Sequence, residues 1–301
     1  MSIKNKIIEY YSSQEWNIGF ITSDISDILA GSIPTVKWMK HSYKDRWFAD
    51  PFILEINEEH IIVLVEEYLL KNKKAQISKL IIKKDNFVLQ DIIPIIVSDT
   101  HLSFPAYYRE GDRVYIYPEN SASSGLVVYT FNKDCTKLIS QKRIIDNPLT
   151  DSVFTPDDRK YMFTTAVPKQ NENELQIYEY DEMKEKYNYL TTYNFTKKIA
   201  RNGGLTFKYN NELYRVAQEC EINYGYAIII QKIKNLDNLK TIDFKDIVRL
   251  APFDKIYNRG FHTFNLFKEN FIVCDGNKFV HHFLYNNIIL IHSAIKCLFN
   301  K

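Results

Sequence analysis

The 301-residue chain lacks most of the features that would assign it at a glance. Its four cysteines, Cys135, Cys220, Cys274 and Cys297, stand far apart. That spacing excludes a metal knuckle or redox pair by pattern and predicts free thiols in a reducing compartment. No block of like charge stands out among 39 basic and 37 acidic residues, which balance to +2. The basic footprint of a nucleic-acid binder is therefore missing, and no nucleic-acid partner is expected. Lys71, Lys73 and Lys74 form the densest cluster and read as a solvated hairpin turn. No charged stretch followed by an apolar run opens the sequence, so the expected location is cytoplasmic. There is no glycine-rich phosphate loop and no Ser-His-Asp pattern, and Gly203-Gly204 is only a turn signal. No cofactor is predicted. His281-His282 reads as a solvated strand pair, so no metal site is predicted either.

Aromatic residues are abundant: 21 Tyr and 19 Phe contribute to a 14% aromatic content, in a chain that is 45% hydrophobic. Such residues favour pleated, half-buried surfaces. They recur in one layout, with a small or polar turn, an aromatic strand, a short polar turn and a second strand ending in a polar residue. With Asp50, Phe104, Asp151, Gly203 and His262 as anchors, the steps are 54, 47, 52 and 59 residues. Apolar runs separated by short polar turns give about four strands per repeat. Five such repeats predict an all-β fold, a five-bladed β-propeller of four-stranded blades. The propeller is assigned residues 1–287, and the strand at Trp16–Ile21 is expected to complete the last blade. Residues 288–301 form an apolar tail, predicted as a short helix. At about 12 residues its apolar run is too short to span a bilayer, which takes roughly 20. It suits a helix docked on the propeller, with peripheral membrane or assembly-enzyme contact as the alternative.

In a propeller the innermost strand of every blade lines one axis, so anchors distant in sequence converge. That brings Asp50, His101 or Ser103, Asp151, Arg201 or Asn202, and His262 to one funnel. The second-strand ends add Glu66, Glu67, Glu119, Gln218, Glu219 and Asp275. Each has a structural explanation taken singly: Asp50 before Pro51 and Asp151 before Ser152 cap turns, the acids close blades, and His262 sits in the core. Taken together they exceed what packing explains, because unpaired buried charge is costly. A polar pocket for a carbohydrate or sugar-phosphate ligand is the better reading. Facing carboxylates suit glycosyl chemistry, and Trp47, Tyr107, Tyr117 and Tyr224 suit stacking on sugar faces.

Ala49-Asp50-Pro51-Phe52 and Asp151-Ser152-Val153-Phe154 resemble the blade starts of five-bladed arabinanase and xylosidase glycosidases. The resemblance implies that Asp50 is a general base and Asp151 an orienting carboxylate. Where that group carries its general acid, this chain has Ala200-Arg201-Asn202-Gly203-Gly204; Glu219 is the nearest carboxylate. A closer resemblance covers roughly residues 45–280. Phe48-Ala49-Asp50-Pro51-Phe52, His101-Leu102-Ser103-Phe104-Pro105, Tyr117-Pro118-Glu119, Arg201-Asn202-Gly203-Gly204, Gln218-Glu219-Cys220, Tyr224-Gly225 and His262-Thr263-Phe264 together are similar to the N-terminal propeller domain of glucosamine inositolphosphorylceramide transferases and its stand-alone bacterial relatives. This implies a role in surface polysaccharide or glycoconjugate biosynthesis. Three expectations follow. In the first, a sugar is transferred from an activated donor, with Arg201 and His262 binding phosphate. The second is a non-catalytic glycan-binding propeller. The third is a hydrolase with Asp50 as base and Glu219 as acid.

Overall fold

The structure, a computed structural model, describes residues 13–280 apart from 124, 237 and 239. The chain enters through β1 (Ser13–Ile21), a one-turn helix α1 (Ile25–Leu29) and β2 (Lys37–Trp38). Four complete blades follow. The first holds β3 (Arg46–Ile56), β4 (His60–Leu69), β5 (Lys74–Lys83) and β6 (Leu89–Ile96). The second holds β7 (Ser103–Glu110), β8 (Arg113–Glu119), β9 (Leu126–Asn132) and β10 (Leu138–Ile145). The third holds β11 (Leu149–Phe154), β12 (Tyr161–Ala166), β13 (Glu174–Asp181) and β14 (Lys186–Asn194). The fourth holds β15 (Phe207–Tyr209), β16 (Glu212–Glu219), β17 (Ala227–Lys234) and β18 (Asp243–Leu250). Every blade is an antiparallel meander whose strands pair in chain order.

The fifth blade is shared by the two ends of the described chain. β19 (Phe264–Lys268) and β20 (Phe271–Val280) form its inner half, and β1 and β2 complete it in the order β19-β20-β1-β2. β1 runs antiparallel to β20 from Ser13↔Val280 to Ile21↔Ile272. The expected closure by the Trp16–Ile21 strand is thus observed, and it draws in β2 as well. The ladder ties the two ends of the described chain together and covers the edge of β20 that would otherwise be open to stray pairing. Between blades the alternating apolar side chains interlock, as where Phe52 meets Phe104 edge-on at 5.0 Å and Tyr117 packs on Phe154 at 4.3 Å.

Three of the five repeat anchors turn out to be bulges. In β3, β7 and β11 one extra residue enters the inner strand, between Ala49 and Phe52, Ser103 and Ala106, and Thr150 and Val153. The residue that absorbs it has a left-handed backbone: Asp50 at φ 49°, Phe104 at 44° and Asp151 at 46°. A bulge re-aims a side chain and sharpens the local twist, and a left-handed non-glycine residue is strained unless its surroundings hold it. In the fourth blade the corresponding stretch is Gly203-Gly204. A Cβ at Gly204 would lie 2.1 Å from the Phe264 carbonyl oxygen, so glycine lets the fourth and fifth blades close on each other. Among the described residues no helix is long and apolar enough to cross a membrane. The tail at 288–301, predicted as a helix, lies outside the described residues, as do Cys297 and His281-His282.

Candidate functional site

The three bulges and their neighbours deliver a cluster of buried charge to one end of the axis. Asp50 is held by three blades. Its Oδ1 accepts from Thr263 Oγ1 at 2.7 Å, and its Oδ2 accepts from the Phe104 amide at 3.0 Å. Its own amide donates to Asp275 Oδ2 at 3.1 Å. Asp275 is fully buried on β20, and its Oδ1 accepts the amides of His262 and Thr263 at 3.1 and 3.0 Å. The His262 ring lies between the two acids, with Nδ1 2.7 Å from Asp275 and Nε2 3.6 Å from Asp50. Trp16 of β1 stacks on that ring at 4.0 Å. Burial alone would lower the imidazole, but Asp275 and Asp50 outweigh it and push His262 up to about 9. Asp50, His262 and Asp275 are also the group, among the described residues, whose ligand atoms come close enough to hold a metal ion. A protonated imidazole offers no lone pair, so a cation there would first have to displace that proton.

A second pair comes from the third and fourth blades. Arg201 Nε donates to Asp151 Oδ2 at 2.6 Å, and Gln218 Nε2 reaches the same oxygen at 2.9 Å. Burial pushes the Asp151 carboxyl up despite the guanidinium beside it, and Arg201 stays protonated because Asp151 faces it. Asp151 Oδ1 and Gln218 Oε1 are buried without a partner among the described residues. Tyr224 sits over this pair, 4.8 Å from the Arg201 guanidinium and edge-on to His262 at 5.5 Å. Asn202 ties the blades below it, donating to the Asp151 and Phe163 carbonyls at 2.7 and 2.9 Å.

The first blade adds an acid of a different kind. Glu66 on β4 is paired across the ladder with Ala49, next to the Asp50 bulge. It is buried, with His101 Nε2 3.2 Å away, and the other ring nitrogen of His101 accepts the Ala75 amide at 3.3 Å. Burial, with the Asp50 charge nearby, raises its carboxyl to about 7 against the pull of His101. His101 is half-exposed and is itself raised, first by its hydrogen bond to Glu66. Since the Glu66 carboxyl is raised on folding, the native state holds a proton that the unfolded chain releases between about pH 4.5 and 7. Its stabilisation is complete below 4.5 and is lost as pH rises to 7. This amounts to about 3 kcal/mol across that window. Glu66→Gln should therefore flatten the fall in stability between pH 4.5 and 7, as read by denaturant titration at a series of pH values. An unchanged slope would refute it.

The remaining predicted residues divide. Glu119 joins the floor, accepting from Ser103 Oγ and the Ser121 amide, both at 2.6 Å. Glu67 does not, because successive strand residues face opposite sides. It points into the blade, bound by Arg46, Gln76 and Ser78 at 2.6, 2.9 and 2.5 Å. Glu219 is gripped by Arg249 through both oxygens at 2.5 and 2.8 Å. Of the four expected stacking aromatics, only Tyr224 is placed at the cluster by its contacts. Tyr117 is buried between blades, Tyr107 donates to the Ile53 carbonyl at 2.5 Å, and Trp47 stacks on Tyr68 at 4.5 Å. Two participants escaped the sequence reading: Thr263, next to the His262 anchor, and Trp16, which the register of the closing strand could have found. Cys135, Cys220 and Cys274 are buried free thiols.

A family model described as "Glucosamine inositolphosphorylceramide transferase 1, N-terminal" matches residues 28–265. A protein of that name from Arabidopsis thaliana is 31% identical over 145 residues, 45% of this chain and 19% of its own length. The one from Oryza sativa subsp. japonica is 25% identical over 207 residues, 64% of this chain and 27% of its own. The chain thus spans about a quarter or less of these relatives. Among solved structures, a GH43 beta-xylosidase/alpha-arabinofuranosidase from a compost microbial metagenome has a TM-score of 0.53 at 9% identity, covering 81% of this chain and 94% of its own. That likeness is one of fold.

Proposed function

We propose that this chain, which belongs to the family of the glucosamine inositolphosphorylceramide transferase 1 N-terminal domain, takes a sugar on the axial floor of its propeller and transfers it from an activated donor. The names of its plant relatives and the glycosidase activity named for a protein of the same fold support a carbohydrate ligand. The observation that carries the reading is the pair Asp50 and Glu66, two carboxyl groups at adjoining ladder positions in opposite surroundings. Asp50 faces an imidazolium and accepts donors on both oxygens, the environment of a carboxylate. Glu66 is kept protonated near neutrality by burial. Environments that separate two acids in this way define a base and an acid.

In this scheme Asp50 takes the proton of the acceptor hydroxyl as its oxygen bonds to the anomeric carbon. The bond from that carbon to the leaving oxygen breaks, and Glu66 gives its proton to that oxygen. Asp151, fixed by Arg201 and Gln218, has a free buried oxygen to receive a ring hydroxyl. Carboxyl groups at the floor (Asp50, Glu66, Glu119, Asp151, Asp275) outnumber the cations Arg201 and His262. The floor therefore suits hydroxyl donors over a phosphate. Arg201, neutralised by Asp151, serves orientation better than phosphate capture. Glu219 makes a poor general acid, because two guanidinium N–H groups stabilise its charged form.

The test is calorimetric binding of nucleotide sugars and neutral oligosaccharides, followed by mass-spectrometric search for transfer products. Asp50→Asn and Glu66→Gln should each lower turnover at least a hundredfold and change binding only a few fold. Binding without turnover in the unaltered protein would make it a glycan-binding propeller. Binding of neither ligand class would overturn the reading.

A further inference from the structure

We infer that the protein carries a second carbohydrate site, between the second and third blades, which takes a neutral saccharide away from the axial cluster. A cavity of about 320 Å³ opens there, walled by residues of β7 to β10 on one side and by Phe154 of β11, the β11–β12 turn, β13 and β14 on the other. Its size is at the lower end of the range for ligand sites, which suits one or two sugar rings. None of its lining residues belongs to the axial cluster.

The lining is aromatic, and not all of it is satisfied by packing. Tyr108 is covered on both faces, by Tyr115 at 4.6 Å and by the Arg159 guanidinium at 4.3 Å. Phe154 and Tyr187 stack on each other at 5.0 Å as the buried floor. Tyr115 and Tyr180 each have one ring neighbour among the described residues, and Tyr180 is 39% exposed. Tyr180 supplies the exposed ring on which a sugar's axial C–H face can lie, beside the partly buried Tyr115. A half-covered tyrosine with an apolar body and a wet hydroxyl suits contact with a ring that is apolar on one face and polar at its rim.

Polar groups and charge narrow the ligand. The Tyr187 hydroxyl donates to the Arg159 carbonyl at 2.5 Å. Those of Tyr115 and Tyr180 form no hydrogen bond among the described residues, so each can both give and take one. The two cations of the lining are already matched: Arg159 with Glu110, and Lys142 with Glu185. Asp158 adds a further negative charge, so a phosphate or carboxylate has no free cation to meet. A nucleotide or acidic peptide is thereby disfavoured, and a neutral hydroxyl-bearing ring fits.

The inference is independent of the axial reading, and the experiment separates them. Neutral oligosaccharides of defined linkage (cello-, malto- and chito-hexaose) are titrated into the protein with ¹³C-labelled tyrosine ring signals observed by NMR. Signals of Tyr115 and Tyr180 should shift with a saturating, ligand-specific response to at least one sugar. Tyr180→Ala, at an exposed position, should weaken that response at least tenfold while leaving the Tyr224 signal's behaviour unchanged. Glu66→Gln should leave the Tyr115 and Tyr180 responses intact. Shifts confined to Tyr224, or no shift at Tyr115 and Tyr180 with any of the three sugars at 20 mM, would overturn the second site. The first of these outcomes would leave the axial site standing.

Discussion

Arg215→Ala is expected to destabilise the protein by on the order of 4 kcal/mol, seen as a fall of roughly 6 °C in the thermal midpoint. Arg215 is fully buried on β16, and its hydrogen bonds among the described residues go to amide and carbonyl oxygens, none to a carboxylate. It donates instead to Asn202 Oδ1 and Gln231 Oε1, both at 2.7 Å, to the Ile199 carbonyl at 3.2 Å, and to the Ala200 carbonyl. Burial pulls its pKa down to about 9, so the site already bears the cost of an ion out of water. What that ion secures is the irregular stretch 199–202, where it binds the Ile199 and Ala200 carbonyls while Gln218 binds those of Arg201 and Asn202. Truncation leaves four acceptors unsatisfied at about 1–3 kcal/mol each, partly offset by removal of the buried charge. The damage should reach the site, because Arg215 orients Asn202, and Asn202 holds the Asp151 carbonyl. Lys186→Ala is the contrast, since Lys186 and its partner Asp146 are both exposed and a surface pair contributes about 1 kcal/mol or less. Circular-dichroism melts of both variants decide this. A loss below 2 °C for Arg215→Ala would show that the stretch is held by something else.

The fold was legible because a propeller writes its period into the chain. The steps between Asp50, Phe104, Asp151, Gly203 and His262 are set by four strands and their turns, and they survive any local ambiguity about a single strand. The same spacing located the inner bulges without revealing that they were bulges, since one extra residue in β3, β7 or β11 changes no composition. The convergence of Asp50, Asp151, Arg201 and His262 was equally legible, as topology dictates it. What each side chain touches was not. Glu66 and Glu67 are neighbours in sequence, yet strand alternation sends one to the axis and the other into the blade. Tyr117 and Tyr107 look like rim aromatics until the inter-blade packing claims them. Partners separated by more than 200 residues, such as Thr263 with Asp50, follow only from knowing how far each blade is rotated about the axis.

The acid–imidazolium–acid triple yields the sharpest pH signature. In the unaltered protein His262 should remain protonated through neutrality and titrate near 9, a value visible in its imidazole NMR signals. Its folded pKa lies above that of an unfolded histidine, so the associated stabilisation is complete below about pH 6.5 and disappears as pH rises through 9. Over that interval the loss is about 3 kcal/mol. Asp275→Asn keeps the shape of the side chain but removes the carboxylate 2.7 Å from Nδ1, the main force opposing burial. The variant's His262 should then titrate below 6.5, and its stability should be nearly flat between pH 7 and 9. At pH 6 the variant should be the less stable by roughly 3 kcal/mol or more, because a buried charge has lost its partner. Asparagine leaves one oxygen where two carboxylate oxygens accept the amides of Asp50, His262 and Thr263, so the strained backbone at the Asp50 bulge loses support and sugar binding weakens with it. A variant whose His262 still titrates near 9 would show that Asp50 alone holds the proton. That result would make Asp50 a committed ion-pair partner and unfit to act as the base.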